Sequence, residues 1–96
     1  MIRHIVFFSA RSETDVPSLL ENLNGLTRIP AADCIEVAVN EKIDLIANEV
    51  DVVVYGEFED EQALADFRAH PAYTEAIAKA RPLREMRIAA DILSDA

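Results

Sequence analysis

Apolar residues in this chain follow two periodicities, one typical of strands and one typical of helices. Apolar side chains occur in unbroken runs or at every second position in four segments, residues 2–9, 34–40, 50–58 and 86–93, which predicts four strands. Residues 16–26 and 63–80 instead repeat apolar side chains every three or four positions, which predicts helices. Residues 41–49 mix aliphatic and charged side chains and fit either a hairpin arm or a loop.

Polar residues and prolines mark where the helices begin and end. Thr14 or Asp15 is predicted to cap the first helix by accepting from an unpaired backbone N–H. Acidic residues 59–61 precede the second helix, where the helix dipole favours negative charge. His70 and Pro71 then interrupt this helix, because proline cannot continue a helix without losing a hydrogen bond. We expect His70 to cap or break the helix and Pro71 to begin a new turn.

The element order β-α-β-β-α-β predicts the ferredoxin-like fold of the α+β class. This fold is a four-stranded antiparallel sheet with two helices on one face. A chain of 96 residues suits one domain, which we assign to residues 1–96.

Both faces of the predicted sheet are apolar. Side chains alternate across a strand, so His4, Val6 and Phe8 share one face. The other face is predicted to carry a second apolar set, consisting of Ile5, Phe7, Val53 and Tyr55 together with Val37 and Val39. Two helices shelter only one face, and the second set is too large to leave in water. We therefore predict a homodimer in which an identical chain covers it.

Composition excludes several classes of partner. The formal net charge of −9 argues against binding to nucleic acid and to anionic membrane surfaces. Cys34 is the only cysteine, which excludes an intrachain disulfide and a cysteine-rich metal site, and we expect a buried strand thiol. Residues 2–8 are too short for a signal peptide, and no apolar run approaches the roughly 20 residues of a membrane span. We expect a cytoplasmic protein.

Three stretches of the sequence carry a family resemblance. They are the opening MIRHIVFF, the segment VVVYGEFEDEQALADFRAHPAY and the tail RPLREMRIAADI. Together they resemble the stress-responsive A/B barrel domain family, often called Dabb, over most of the chain. The resemblance implies a ferredoxin-like protomer and a homodimer whose two sheets close into an α/β barrel. Family roles include stress-linked proteins of unassigned activity and a few small-molecule enzymes, notably a plant polyketide cyclase.

The resemblance also implies a ligand pocket between the sheet and the helices. Its lining here would be Val6, Phe8, Val54, Leu64, Phe67 and His70. His4 would face this pocket as an acid or base, unless it is a buried histidine held by one hydrogen bond. Tyr73 stands where the cyclase carries a catalytic histidine; it would donate a hydrogen bond there or pack its ring.

Two further departures from the cyclase pattern weaken an enzymatic interpretation. Val52 falls near the cyclase's second pocket histidine, and Phe67 falls where a tyrosine assists it. Loss of one positioned acid or base typically lowers a rate about 10²–10⁴-fold. We therefore expect a binding or structural protein without a metal or cofactor. The alternative is a cyclase, isomerase or cofactor-free monooxygenase acting on a small hydrophobic ligand, which would need an open pocket beside His4.

Overall fold

The computed structural model describes residues 1–95; Ala96, the last residue of the predicted domain, lies outside the described part. The strands are β1 (Ile2–Ala10), β2 (Cys34–Val39), β3 (Val52–Phe58) and β4 (Arg84–Leu93). The helices are α1 (Val16–Asn24), α2 (Glu61–Ala69) and α3 (Pro71–Ala80), and the 3-10 turns Glu13–Asp15 and Gly25–Arg28 flank α1. No helix within residues 1–95 is both long enough and apolar enough to cross a membrane.

The four strands form one antiparallel sheet in the order β2-β3-β1-β4. β1 pairs with β3 from Ile2–Phe58 to Phe8–Val52, so these two strands form the centre of the sheet. β4 pairs along the other side of β1, which makes the first and last strands neighbours. The predicted ferredoxin-like arrangement is confirmed, with the difference that the second helical region consists of two helices.

His70 divides that helical region. Its backbone is extended, with φ −68° and ψ 138°, so α2 cannot continue through it. Its Nδ1 accepts a hydrogen bond from the N–H of Ala72 at 3.0 Å, and Pro71 occupies the first turn of α3. The fixed φ of proline suits that position, and its missing N–H leaves nothing unpaired there. The predicted restart at Pro71 is confirmed.

The start of the first helical region differs from the prediction. Ser12 is the cap: its Oγ accepts from the N–H of Thr14 at 3.4 Å, at the beginning of the 3-10 turn. Asp15 makes no side-chain capping bond, so the assignment of the cap to Thr14 or Asp15 was wrong. The extra 3-10 turn moves the first unpaired backbone N–H groups back toward Ser12, where a short hydroxyl side chain can reach them.

A continuous hydrophobic core lies between the helices and one face of the sheet. β1 and β3 supply Val6, Phe8, Val52, Val54 and Phe58. The helical regions supply Leu19, Leu23, Leu26, Leu64, Phe67, Ala76 and Ala80. We call this side of the sheet the covered face.

The opposite side, which we call the open face, carries the other alternate residues of each strand. These are Cys34, Glu36 and Ala38 of β2, Val53, Tyr55 and Glu57 of β3, Arg3, Ile5 and Phe7 of β1, and Met86, Ile88, Ala90 and Ile92 of β4. Phe7, Ile88 and Ile92 are 36%, 54% and 49% exposed. Ile5, Phe7, Val53 and Tyr55 thus lie away from the helices, as alternation predicts.

Strand β2 corrects two predictions. Val37 pairs with Val54 and Val39 pairs with Val52, which places both on the covered face. Their assignment to the open face was wrong, because alternation along β2 cannot tell which of its faces meets the helices until its register with β3 is known. Cys34 is exposed rather than buried, since it begins an edge strand on the open face.

Residues 40–51 form a loop, which decides between the two alternatives for this segment. A backbone hydrogen bond from Asn40 N–H to the Asp51 carbonyl, 2.8 Å long, closes its base. Ile43, Leu45 and Ile46 project from it and are 84%, 93% and 82% exposed.

Candidate functional site

His4 is the most deeply buried ionisable side chain of the sheet. It lies in the middle of β1 on the covered face and is 2% exposed. Its Nδ1 lies 2.5 Å from Oδ1 of Asp91, which stands directly opposite on β4 and is 43% exposed. A carboxylate at Nδ1 fixes the orientation of the ring and leaves Nε2 as the nitrogen available for other contacts. One hydrogen bond of this kind fits a structural histidine, and it also fits a base held in position.

Gly56 has no side chain, and neighbouring side chains fill the space that a Cβ would need. It pairs with His4 across the β1–β3 ladder. A Cβ at this position would lie 2.8 Å from Ile35 Cδ1 and 2.8 Å from Phe58 Cε2, closer than normal packing allows. The close approach that a strand glycine often marks is therefore present here.

The space beside His4, where the pocket is predicted, is almost filled. The remaining cavity has a volume of about 10 Å³, room for roughly one water molecule. Its lining consists of His4, Val6, Phe8, Leu26, Val54, Phe67, Tyr73, Ile77 and Arg87. The predicted residues Leu64 and His70 do not line it. Leu64 faces a neighbouring groove, and His70 is engaged in capping α3.

Tyr73 uses its ring for packing. It lies edge-on to Phe67 with ring centroids 5.4 Å apart, and Phe67 lies edge-on to Phe58 at 5.1 Å. Such edge-to-face pairs are worth about 0.5–1.5 kcal/mol each beyond the burial of area. These three aromatic rings occupy the volume that a ligand would need.

Asp91 is the site residue that the sequence interpretation missed. It occupies a position on β4 that faces the helical side of the sheet, opposite His4. A signal was available, because the first and last strands are neighbours in a ferredoxin-like sheet and Asp91 is the one acidic residue within residues 86–93. Arg87, which lines the small cavity beside His4, lies four residues before Asp91 on the same face of β4.

A second depression makes Asp91 accessible from outside. This groove, between α2 and the β1–β4 pair, has a volume of about 280 Å³ and is lined by Ile2, Glu61, Leu64, Ala65, Arg68 and Asp91.

Asp60, from the acidic run 59–61, caps α2 by accepting from the N–H of Ala63 at 2.9 Å. Within residues 1–95, no three or more His, Cys, Asp and Glu side chains cluster in a way that could hold a metal ion.

Asp51 joins the loop 40–51 to the end of β1. One carboxylate oxygen accepts from the backbone N–H of Ala10 at 2.8 Å, and the other lies 2.8 Å from Nζ of Lys42. Burial acts to raise the pKa of Asp51, but the hydrogen bonds from Lys42 and Ala10 and the charge of Lys42 outweigh it and lower the pKa below 3.8. The hydrogen bond to Asp51 in turn raises the pKa of Lys42.

The open face carries a separate polar group of three side chains. The hydroxyl of Tyr55 donates to Oε2 of Glu57 at 2.7 Å, and this hydrogen bond, assisted by burial, raises the pKa of Tyr55 above 10.0. Arg3 pairs with Glu57 in the backbone register, yet its Nε is buried and has no hydrogen-bond partner within residues 1–95.

Comparisons with known proteins identify the family and the fold. The family model described as "Stress responsive A/B Barrel Domain" matches residues 2–94. A Dabb family protein from Mesorhizobium loti has a similar structure, with a TM-score of 0.80 and 19% identity over 97% of this chain and 95% of that chain. A dimeric ferredoxin-like protein of unknown function from Thermobifida fusca gives a TM-score of 0.78 and 22% identity over 95% of this chain and 88% of that chain.

Two similar structures carry the name antibiotic biosynthesis monooxygenase, one of them as a putative enzyme from Nitrosomonas europaea. The other has a TM-score of 0.75 and 17% identity over 100% of this chain and 98% of that chain. At such identities the likeness shows a shared fold alone. No functionally curated protein matched the sequence significantly.

Proposed function

Since this chain belongs to the stress responsive A/B barrel domain family, we propose that it acts as a homodimer with a binding or structural role rather than as a catalyst. The proposed barrel consists of two sheets that meet through their open faces. A cytoplasmic location is part of the proposal, and the single exposed cysteine fits a reducing compartment.

The unequal coverage of the two sheet faces carries this proposal. The covered face is closed by the chain's own helices, with only about 10 Å³ left beside His4. The open face presents half-exposed Phe7, Ile88 and Ile92 with nothing of the described chain packed over them. Burying such a patch against a second copy would remove it from water, which is favourable by about 25 cal/mol per Å². Self-association also agrees with the dimeric state named for a protein of similar fold.

Light scattering tests the dimer. The wild-type chain of 10.7 kDa should elute with twice that mass at micromolar concentration. Val53→Asp would place an unpaired charge in the proposed interface and should yield a monomer. Ile43→Asp is the matched control, because Ile43 is 84% exposed on the loop and the same change there should leave the dimer intact. A monomeric wild type would contradict the proposal.

The pair formed by His4 and Asp91 favours one second candidate, a small-molecule enzyme. Its 2.5 Å contact holds the imidazole as a positioned base would be held. The ligand would be a small hydrophobic molecule, and Tyr73 would donate a hydrogen bond to it. This candidate requires Phe67 and Tyr73 to move apart, since the cavity they line holds about one water at present.

Thermal denaturation with orcinol and 2,4-dihydroxybenzoate as probes separates the two candidates. The first proposal predicts no rise in melting temperature with either probe, because the space beside His4 is too small to admit them. A rise that is lost in Asp91→Asn and kept in Glu85→Gln would favour the enzyme, because Glu85 is an exposed acid on the same strand but away from His4.

A further inference from the structure

One row across the open face places two opposite charges side by side on its two central strands. Cys34 on β2 pairs with Glu57 on β3, Glu57 pairs with Arg3 on β1, and Arg3 pairs with Ile92 on β4. The midpoint of the sheet lies between β3 and β1, so Glu57 and Arg3 stand at equal distances on either side of it. The next row on this face begins with Glu36 on β2 and reaches Ile5 on β1. The row after it begins with Ala38 and reaches Phe7.

Within one chain this row is incompletely satisfied. The Nε of Arg3 is buried without a partner in the described residues. Glu57 accepts from Tyr55 through Oε2, and no ion pair joins it to the guanidinium next to it among residues 1–95. A buried donor without an acceptor is rare in folded proteins, because its lost hydration is not replaced. The outer nitrogens of the Arg3 guanidinium also make no hydrogen bond within residues 1–95, and unlike Nε they are not buried in the single chain, so an acceptor from outside could reach them.

We propose that Arg3 donates to Glu57 of the partner subunit and that the twofold axis of the dimer is parallel to the strands at the centre of the sheet. This inference rests on the proposed homodimer and adds the direction of its twofold axis and one polar contact across the interface. A twofold axis in that position exchanges the places of β1 and β3, so Arg3 of each copy faces Glu57 of the other. Stacked sheets lie about 10 Å apart, a distance that an extended Arg and an extended Glu span together.

The alternative orientation leaves the polar row unsatisfied. A twofold axis perpendicular to the strands would place Arg3 against the far end of the partner's β1, which on this face carries Phe7 and Ser9. Burying the guanidinium and the Glu57 carboxylate against such a surface offers neither of them an opposite charge from the partner, so their desolvation is not offset across the interface. Charge complementarity therefore selects the parallel axis.

Charge exchange between two chains tests the contact. Arg3→Glu and Glu57→Arg should each raise the dimer dissociation constant about 100-fold, the effect expected when one member of a buried charge pair is lost. Mixing the two variants should restore a heterodimer of near wild-type affinity, because each chain then meets the opposite charge across the interface. If the contact were internal to one chain, both variants would stay defective after mixing, and that result would overturn the proposal.

Cross-linking through Cys34 tests the axis in an otherwise native chain. The parallel axis places Cys34 opposite Ile92 of the partner subunit, whereas the perpendicular axis places it near Ala38 of the partner subunit. With a bismaleimide cross-linker that spans about 10 Å, Ile92→Cys should form covalent dimers with the native Cys34, and Ala38→Cys should not. The reverse pattern would overturn the proposed axis while leaving the homodimer intact. A monomeric wild type would instead overturn the proposed function itself.

Discussion

The same four strands form both faces of the sheet, but the two faces differ in how far the rest of the chain covers them. On β1, Val6 and Phe8 are 3% and 2% exposed, whereas the intervening Phe7 is 36% exposed. The difference comes from the rest of the chain: within residues 1–95, three helices lie over one face, and none lies over the other. A chain of this length supplies helices for one layer only, so alternation of apolar residues over two faces predicts a partner.

The polar groups of the two faces show the same contrast. On the covered face, the buried His4 is held by a hydrogen bond to Asp91. On the open face, the Nε of Arg3 has no acceptor among residues 1–95. One face is therefore complete within a single chain, whereas the other has both apolar surface and a hydrogen-bond donor left to satisfy.

Truncating adjacent phenylalanines on the two faces should give the largest difference. Phe8→Ala should lower the free energy of unfolding by about 3–5 kcal/mol, because it leaves a cavity in the core. Phe7→Ala should have a small effect on a single chain and should mainly raise the dimer dissociation constant. Urea unfolding over a range of protein concentrations measures both quantities. Equal, concentration-independent losses in the two variants would show that the faces do not differ in this way.

Much of this contrast could be predicted from the sequence, because β1 and β3 are central strands with apolar side chains on both faces. Their faces, the break at His70 and the restart at Pro71 follow from side-chain period and proline geometry alone. The edge strand β2 could not be placed in the same way. Val37 and Val39 alternate correctly, but only the pairing with β3 decides that they meet the helices.

The candidate site was less predictable than the fold, for two physical reasons. The contact between His4 and Asp91 joins residues 87 positions apart, so it depends on the register of β1 with β4. Whether a pocket exists depends on how fully Phe67, Tyr73 and their neighbours fill the space, which residue types alone do not determine. The cap at Ser12 was missed for a smaller reason, the extra 3-10 turn before α1.

Adding one methyl group at Gly56 should disturb the covered face. Gly56→Ala should cost about 1–3 kcal/mol of unfolding free energy, because the new Cβ would lie 2.8 Å from atoms of Ile35 and Phe58. Gly25→Ala is the matched control: Gly25 has helical geometry with φ −58°, and its Cβ would meet nothing within 4 Å. Thermal unfolding should show the control unchanged or slightly more stable. A tolerated Gly56→Ala would mean that the core beside His4 is loosely packed.

Removing the charge of Asp51 should give a smaller, pH-dependent loss. Asp51→Asn should cost about 1–2 kcal/mol at pH 7, because hydrogen bonds to a carboxylate are stronger than those to an amide. The pKa of Asp51 is lowered in the folded chain, so its contribution is fully present above the unfolded pKa near 3.8. It is lost as the pH falls further, through the folded pKa. Urea unfolding at pH 7 and below pH 3.8 should therefore show the wild type and the variant converging at the lower pH.

The smallest effect should come from the helix layer itself, at His70. His70→Ala removes the side chain that accepts from the Ala72 N–H, and loss of such a cap typically costs about 1 kcal/mol. His70→Asn should recover part of this, since asparagine is a strong capping residue, and recovery would assign the role of His70 to hydrogen bonding at the start of α3. Because the change lies on the covered side, the dimer dissociation constant should stay at its wild-type value while the unfolding free energy falls. A weaker dimer in His70→Ala would mean that the helical layer also shapes the open face, and that the two faces are not independent.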